Sequence, residues 1–332
     1  MYIQQAILHI LDKDSGNLLT SEHAMDLSDL WVREYLQKLI QKVQQSDIKT
    51  GLVQQTDDLY AYAEKIIDQF VAVSTELATD IYEIIAPAEE IAAADYVFFQ
   101  GRDDVEHQWF GFIRLDYSTQ YTHFLHAEAG VTNQLMRHQA ILPSTSQKPT
   151  EAFLWNITTN TYQLLEKKYA IEGTKVNYLS EQVLKLAPEK AAPQTIKEIK
   201  KVVTSVAKQF EETPYEALAK TQQLIYEQLE NDAEIQPKSV MEQVFSHNLS
   251  AQQAVRQAVD YYELPERMTL NNTPKYEKKY RKQKFKLANG IEITILVELY
   301  GNQDVVEFIN QPDGTISVII KNIEAIHNAF NG

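Results

Sequence analysis

Residues 275–321 read KYEKKYRKQKFKLANGIEITILVELYGNQDVVEFINQPDGTISVIIK, and two textures meet in that stretch. It opens on the densest positive charge in the chain: Lys275, Lys278, Lys279, Arg281, Lys282, Lys284 and Lys286, against Glu277 alone, with Tyr276, Tyr280 and Phe285 interleaved. Ile291, Ile293 and Ile295 then alternate with Glu292 and Thr294, the period of a strand buried on one face. A second apolar run, Val305 to Ile309, leads to Pro312-Asp313-Gly314, after which Ile316, Val318 and Ile320 alternate again. Proline presets φ and glycine accepts a positive φ, so Pro-Asp-Gly between strand patterns predicts a hairpin. The expectation is a small antiparallel sheet with a basic, aromatic-bearing arm on its leading edge. Such an arm would bring a polyanion to an otherwise acidic chain.

The 332 residues suffice for two domains, or one large domain and an appendage. Hydrophobic residues at 44% and charged ones at 23% are ordinary globular values. The absence of cysteine excludes disulfides and thiolate-held zinc or iron–sulfur groups, and it fits a reducing compartment. MYIQQAILHILDKD has neither a basic start nor a small-residue cleavage site, and no apolar run reaches membrane-spanning length, so a cytoplasmic protein without membrane association is expected. A net charge of −15 argues against coating nucleic acid over the whole surface. The charge is unevenly spread. Residues 1–90 hold 6 basic and 16 acidic side chains, whereas residues 187–332 hold 17 and 20, with the bases clustered. A polyanion should meet the C-terminal half.

Taken in order, YIQQAILHILD predicts an opening strand with Ser15-Gly16 as its turn and Leu18-Leu19 starting a second. Ser28-Asp29 caps a helix whose inner face is Leu30, Trp31, Tyr35, Leu36, Leu39, Ile40 and Val43. Helical stretches follow from near Thr56 and over Ser74 to Ala86, the last stopped by Pro87. From Asp95 to Leu165 the short aromatic and branched runs predict an antiparallel meander, with Phe98, Phe99, Trp109, Phe110, Phe112, Tyr117, Tyr121 and Phe124 as core and dimer interface. Helices return at Tyr178–Leu186, Gln194–Glu211, from Pro214, from Pro237 and from Leu249, with Pro188–Pro193 and Asp232–Pro237 as expected hinges. The fold class is α+β: an N-terminal domain of helices and antiparallel sheet (1–176), a helical middle (177–262), and a basic arm with a small β module (263–332).

This order of elements resembles the bacterial nucleoid-associated protein family, the NdpA/YejK group. The opening AILHILD fits it in place and texture, and residues 284–323, KFKLANGIEITILVELYGNQDVVEFINQPDGTISVIIKNI, are similar to the family's C-terminal module. The resemblance implies a cytoplasmic homodimer associated with the bacterial nucleoid, without a catalytic activity or a cofactor. It leaves two routes open, direct DNA contact or contact through DNA-handling proteins such as a topoisomerase. The low pI, about 5.0, departs from that of a small histone-like coater and argues against sequence-independent wrapping.

The first candidate site is the basic segment, Lys275, Lys278, Lys279, Arg281, Lys282, Lys284 and Lys286. Its cations would release counterions from phosphates, while Tyr276, Tyr280 and Phe285 either stack on bases or pack under the sheet. Neutralising roughly four to six phosphates implies a log–log salt slope of about −4 to −5. Lysines on an edge strand also serve as a guard against edge pairing. Lys197, Lys200 and Lys201, with Lys208, form a second candidate face, for which a solvated helix flank balanced by Glu198, Glu211 and Glu212 is the plainer reading. His107, His123, His126 and His138, near Asp103, Asp104, Glu106 and Glu128, lack metal-ligand spacing; residues three apart on a strand, such as His123 and His126, point to opposite faces. Asp116 with Glu166 and Lys168 has the loose form of a nuclease carboxylate set, which leaves metal-dependent DNA cleavage as a remote alternative. No GxxxxGK, GxGxxG or nucleophile-elbow pattern occurs.

Overall fold

The computed structural model describes residues 1–126, 131–270, 273–312 and 314–325, with the side chain of His126 excepted. Glu128 and Asp313, named in the sequence analysis, lie outside the described residues. The chain divides into two compact units, Met1–Ala191 and Ala192–Gly332. Both helices and antiparallel sheet are present in quantity, and the fold is α+β.

In the first unit, β1 (Tyr2–Asp12), β2 (Asn17–Leu19), α1 (Leu30–Gln44), β3 (Lys49–Leu52), α2 (Tyr62–Asp68) and α3 (Phe70–Ile85) are followed by β4 (Ala94–Arg102) and β5 (Gln108–Asp116). Then come β6 (Ser118–His126), β7 (Thr132–Ile141), β8 (Ala152–Asn156), β9 (Thr161–Leu165), β10 (Tyr169–Ile171) and β11 (Thr174–Val176). Seven strands form one antiparallel sheet in the order β2-β1-β4-β5-β8-β9-β3. Its two faces carry separate cores. Phe98, Phe112 and Trp155 pack with Phe70, Leu77 and Ile81 of α3, while Val97, Phe99 and Ile113 pack with Leu36, Leu39 and Val43 of α1. A strand buried on both faces loses its polar alternation, which is why Tyr96-Val97-Phe98-Phe99 reads as a continuous apolar run. A register shift between Ile3 and Gln5 inserts one residue into β1, so Ile3 and Ala6 share the α1 face while Ile7 and Leu11 share the other.

Asp29 caps α1 by accepting from the Trp31 amide at 2.8 Å. Trp31 itself is 82% exposed and Leu30 64%, so the first turn of the expected apolar face is solvent-facing. Tyr178–Leu186, expected as a helix, contains one wide helical turn at Leu179–Val183. His9 is fully buried and neutral. Its Nδ1 accepts from the Ser21 amide at 3.1 Å, which leaves the proton on Nε2 to reach Ser74 Oγ at 3.0 Å, and burial pushes the imidazole down to about 4.

The meander aromatics separate into three groups. Trp109 and Tyr117 are half-buried and donate to Asp103 and Asp95. Phe98, Phe99, Phe110 and Phe112 are inaccessible, as expected of a core. Tyr121 and Phe124 stand exposed on the β6–β7 hairpin, a two-stranded sheet of its own that also exposes Leu125 and Leu135.

The second unit contains α4 (Ala192–Gln209), α5 (Pro214–Asp232), β12 (Glu234–Ile235), α6 (Pro237–Val244), α7 (Leu249–Tyr261) and β13 (Met268–Thr269). It continues with α8 (Thr273–Tyr280), β14 (Lys282–Lys286), β15 (Glu292–Leu296), β16 (Val306–Asn310) and β17 (Ile316–Ile320). Expected segments 177–262 and 263–332 meet in its core, where Tyr276, Tyr280 and Val297 pack among Ile199, Val203 and Ile225. The basic segment is therefore not an arm on the edge of a sheet. Its first half is helix α8, because Tyr276 and Tyr280 lie four apart on one helical face and bury together. The β sequence likewise forms two separate hairpins, β14–β15 and β16–β17, rather than one sheet. Gly314 holds φ +82° in the second, as its turn demands.

Candidate nucleic-acid interface

Helix α8 turns its two tyrosines inward and its lysines outward. Tyr276 and Tyr280 are 3% exposed each and stack with centroids 6.3 Å apart, whereas Lys275, Lys278 and Lys279 are exposed. The open alternative for these rings is thus decided in favour of packing; neither offers a face to a base. The ammonium of Lys275 lies 5.4 Å from the Tyr276 centroid, and that of Lys279 lies 5.8 and 5.6 Å from Tyr276 and Tyr280. Ammonium groups at this range are held by the ring quadrupole.

Helix α4 supplies a further cation to the same place. Its inner face, Ile196, Ile199, Val202 and Val203, is in the core, and Lys197, Lys200 and Lys201 are exposed. Lys200 reaches over the Tyr280 ring at 5.9 Å, and Lys201 over Tyr262 at 5.1 Å. Two segments that the sequence treats as separate candidates thereby converge at Tyr280. Partial burial of the Lys200 ammonium, and then the nearby Lys279 cation, lower its pKa. The Tyr262 hydroxyl, as hydrogen-bond partner, holds Lys201 above the usual lysine range.

The second half of the basic segment is partly neutralised. Lys284 and Lys286 share Glu292 at 2.5 and 3.2 Å, across the β14–β15 pair, and Arg281 approaches Glu298 at 4.0 Å. Hydrogen bonds from Lys284 and then Lys286 hold the Glu292 carboxyl below its ordinary range. Phe285 stacks on Tyr300 at 5.5 Å and meets Phe308 at 5.1 Å, so this ring also packs internally. Two glutamines, which no sequence motif marks, fasten the segment to α5. Gln222 Nε2 donates to the carbonyls of Tyr280 and Lys282 at 2.9 and 2.8 Å, and Gln283 Nε2 donates to Ala219 O at 2.8 Å.

The carboxylates considered for cleavage are occupied. Asp116 accepts from Arg114 Nε at 2.7 Å and from Thr150 at 2.6 Å, while Glu166 holds Lys49 at 2.7 Å and the Ser180 hydroxyl at 2.8 Å. Among the described residues no cluster of three or more His, Asp or Glu side chains is arranged to hold a metal ion. His107 instead pairs with Asp103 at 3.3 Å. Among the described residues no helix is long and apolar enough to cross a membrane.

No curated protein matches the chain. A family model described as nucleoid-associated protein YejK matches residues 7–326, a span that takes in the seven-stranded sheet from the middle of β1 onward, the helices of the second unit and the lysine-bearing α8. With nearly its whole length accounted for, the chain belongs to the nucleoid-associated protein YejK family.

Proposed function

We propose that this nucleoid-associated protein contacts DNA directly, without catalysing a reaction on it, through the α4–α8 face of its second unit. The observation that carries the reading is the convergence of Lys200 and Lys279 on the Tyr280 ring. Lys197, Lys278 and Lys282 extend that face, and all three are exposed with no ion-pair partner within 4.0 Å among the described residues. Lys275 and Lys201 border it. Arg281, Lys284 and Lys286 contribute less, since each already faces a carboxylate. About three to five phosphates are then neutralised, which gives a salt slope of about −3 to −4.5, shallower than the full set of cations implies. A mobility shift of duplex DNA by purified protein, repeated over a range of salt, tests this. No shift at low salt overturns it.

That partial neutralisation favours a second reading, in which the chain reaches the nucleoid through a partner protein such as a topoisomerase. A homodimer accompanies either reading. Its support is the β6–β7 hairpin: an isolated two-stranded hairpin is marginal in water, and this one exposes Tyr121 at 69% and Leu135 at 82%. The hairpin's described residues include Arg137 and no carboxylate, while residues 1–90 are strongly acidic, so a second copy offers a surface of complementary charge.

A further inference from the structure

A cleft of about 770 Å³ opens in the second unit between β14 with its following turn, Lys284 to Asn289, and the start of β17, Gly314 to Val318. That is the volume of a ligand site. Tyr215, Leu218, Phe308 and Ile316 supply an apolar lining, and Lys200, Lys284 and Lys286 lie along it. Among the described residues no carboxylate lines the cleft, in a chain that holds 46 acidic side chains against 31 basic ones. Lys284 and Lys286 share a single carboxylate, Glu292, so the described lining keeps a net positive charge even with that carboxylate counted.

A second, independent feature points to a ligand. Gln283 lines the cleft, is 2% exposed, and its Oε1 has no hydrogen-bond partner among the described residues, although its Nε2 is engaged by Ala219. A buried acceptor left unpaired is destabilising, and a donor brought by an occupant removes that cost. The strands beside it are also unsatisfied as a sheet, for β14 and β17 belong to different two-stranded pairs and each has one neighbour among the described strands. Such an edge accepts an extended chain through its backbone groups.

From this geometry we infer that the cleft is a docking groove for an extended acidic peptide of a partner protein, anchored by a bulky apolar side chain. Carboxylates would meet Lys200, Lys284 and Lys286. The anchor would lie against Tyr215, Leu218 and Phe308, and a peptide N–H would reach Gln283 Oε1. An unpaired nucleotide suits the site less well, because Phe285 is already stacked on Tyr300 at 17° and meets Phe308 at 49°, which leaves no parallel-walled slot for a base. The groove and the proposed DNA face share Lys200, Lys284 and Lys286, whereas Ile316 belongs to the groove alone and tells the two apart.

The test is selection of a random dodecapeptide phage library on the full-length chain, followed by fluorescence polarisation with a labelled synthetic copy of the enriched peptide. Enrichment of Asp and Glu around Leu, Ile, Phe or Trp is expected. Ile316→Glu should weaken binding by at least about tenfold through repulsion of the peptide's carboxylates, and it replaces a side chain already 47% exposed, so the fold should hold. Lys200→Glu should do the same, and Ile316→Val should bind nearly as the parent does. Three results would each overturn the inference: no enrichment, enriched peptides indifferent to Ile316→Glu, or labelled oligo(dT) taking the groove in place of peptide. The duplex mobility shift of Ile316→Glu should match the parent protein, which separates failure of this groove from failure of the DNA-binding face.

Discussion

The ammonium of Lys200 lies 5.9 Å from the centroid of the Tyr280 ring, 80 positions away in sequence. Lys279, next to Tyr280 on α8, covers the same ring at 5.6 Å. One buried aromatic side chain thus collects cations from two helices, and Lys279 lowers the proton affinity of Lys200. Mutual repulsion of this kind is relieved when an anion arrives, so on the proposed reading the pair is where a phosphate would gain most.

Reversing the charge of Lys200 and Lys279 together should reduce duplex affinity by at least about tenfold at moderate salt and make the salt slope shallower by about 2. The paired control is Lys284→Glu with Lys286→Glu, which should cost less because Glu292 already opposes those cations. Mobility shifts at three salt concentrations check both. Equal losses in the two double variants would show that proximity to Tyr280 confers nothing.

Tyr280 should matter to stability rather than to stacking on bases. It is 3% exposed, sits in the core of the second unit and stacks on Tyr276. Tyr280→Ala should cost about 3–5 kcal/mol in chemical denaturation, the range for emptying an aromatic core site. Tyr280→Phe, which keeps the ring and its hold on Lys200 and Lys279, should bind DNA nearly as the parent does.

How much of this was legible beforehand differs between the two units. The opening strand, the Asp29 cap, the hairpin residues Val306–Asn310 and Ile316–Ile320, and the α+β class follow from local pattern, and local pattern is what a sequence displays. Strand β3, KTGL, was hidden because it lies at the sheet edge and carries no apolar alternation. The basic segment shows its charge plainly, but the helical spacing of Tyr276 and Tyr280 is a weaker signal than the β pattern that follows. The meeting of Lys200 with Lys279 depends on how α4 and α8 pack, and no local signal records that. Glu292 was visible as one residue of an alternating strand. That it neutralises two lysines follows from the register Lys284↔Thr294 and Lys286↔Glu292.

The β6–β7 hairpin should govern self-association. Leu135, 82% exposed, and Tyr121, 69% exposed, lie on one face of the hairpin through the pairs Tyr121↔Arg137 and His123↔Leu135. Leu135→Asp or Tyr121→Asp should shift the native mass toward the monomer at micromolar concentration while leaving the far-UV circular dichroism unchanged. A mass unaffected by both changes would remove the hairpin from the interface.

His9 should make the first unit acid-sensitive. Burial holds its folded pKa at about 4 against an ordinary value of 6.5, so between those values the unfolded chain binds the extra proton. Stability from this group is therefore complete above pH 6.5 and is lost as the pH falls toward 4. Between pH 7.5 and 5 the loss from this one group is about 2 kcal/mol. His9→Gln should be less stable at pH 7.5, through the disturbed Ser74 and Ser21 contacts, yet lose about 2 kcal/mol less on acidification. Urea titrations at the two pH values measure the difference.

Arg114 tests whether the most buried polar cluster of the first unit is structural or chemical. Its side chain is 2% exposed, donates to Asp116, to Ala92 O at 2.6 Å and to the Tyr96 hydroxyl at 3.1 Å, and faces Glu151 at 3.6 Å. Glu151 is inaccessible and accepts from Tyr178 at 2.6 Å, and its burial raises the carboxyl pKa against the pull of Arg114. A buried ion pair is weakest when halved, because the survivor keeps its desolvation cost without its partner. Arg114→Met alone should therefore destabilise by about 3–5 kcal/mol, and Arg114→Met with Glu151→Leu should recover part of that loss. If the cluster only holds the sheet together, the double variant should shift duplex DNA as the parent does. A folded double variant that loses DNA binding would instead place a functional role at β5 and β8, far from the lysines in sequence.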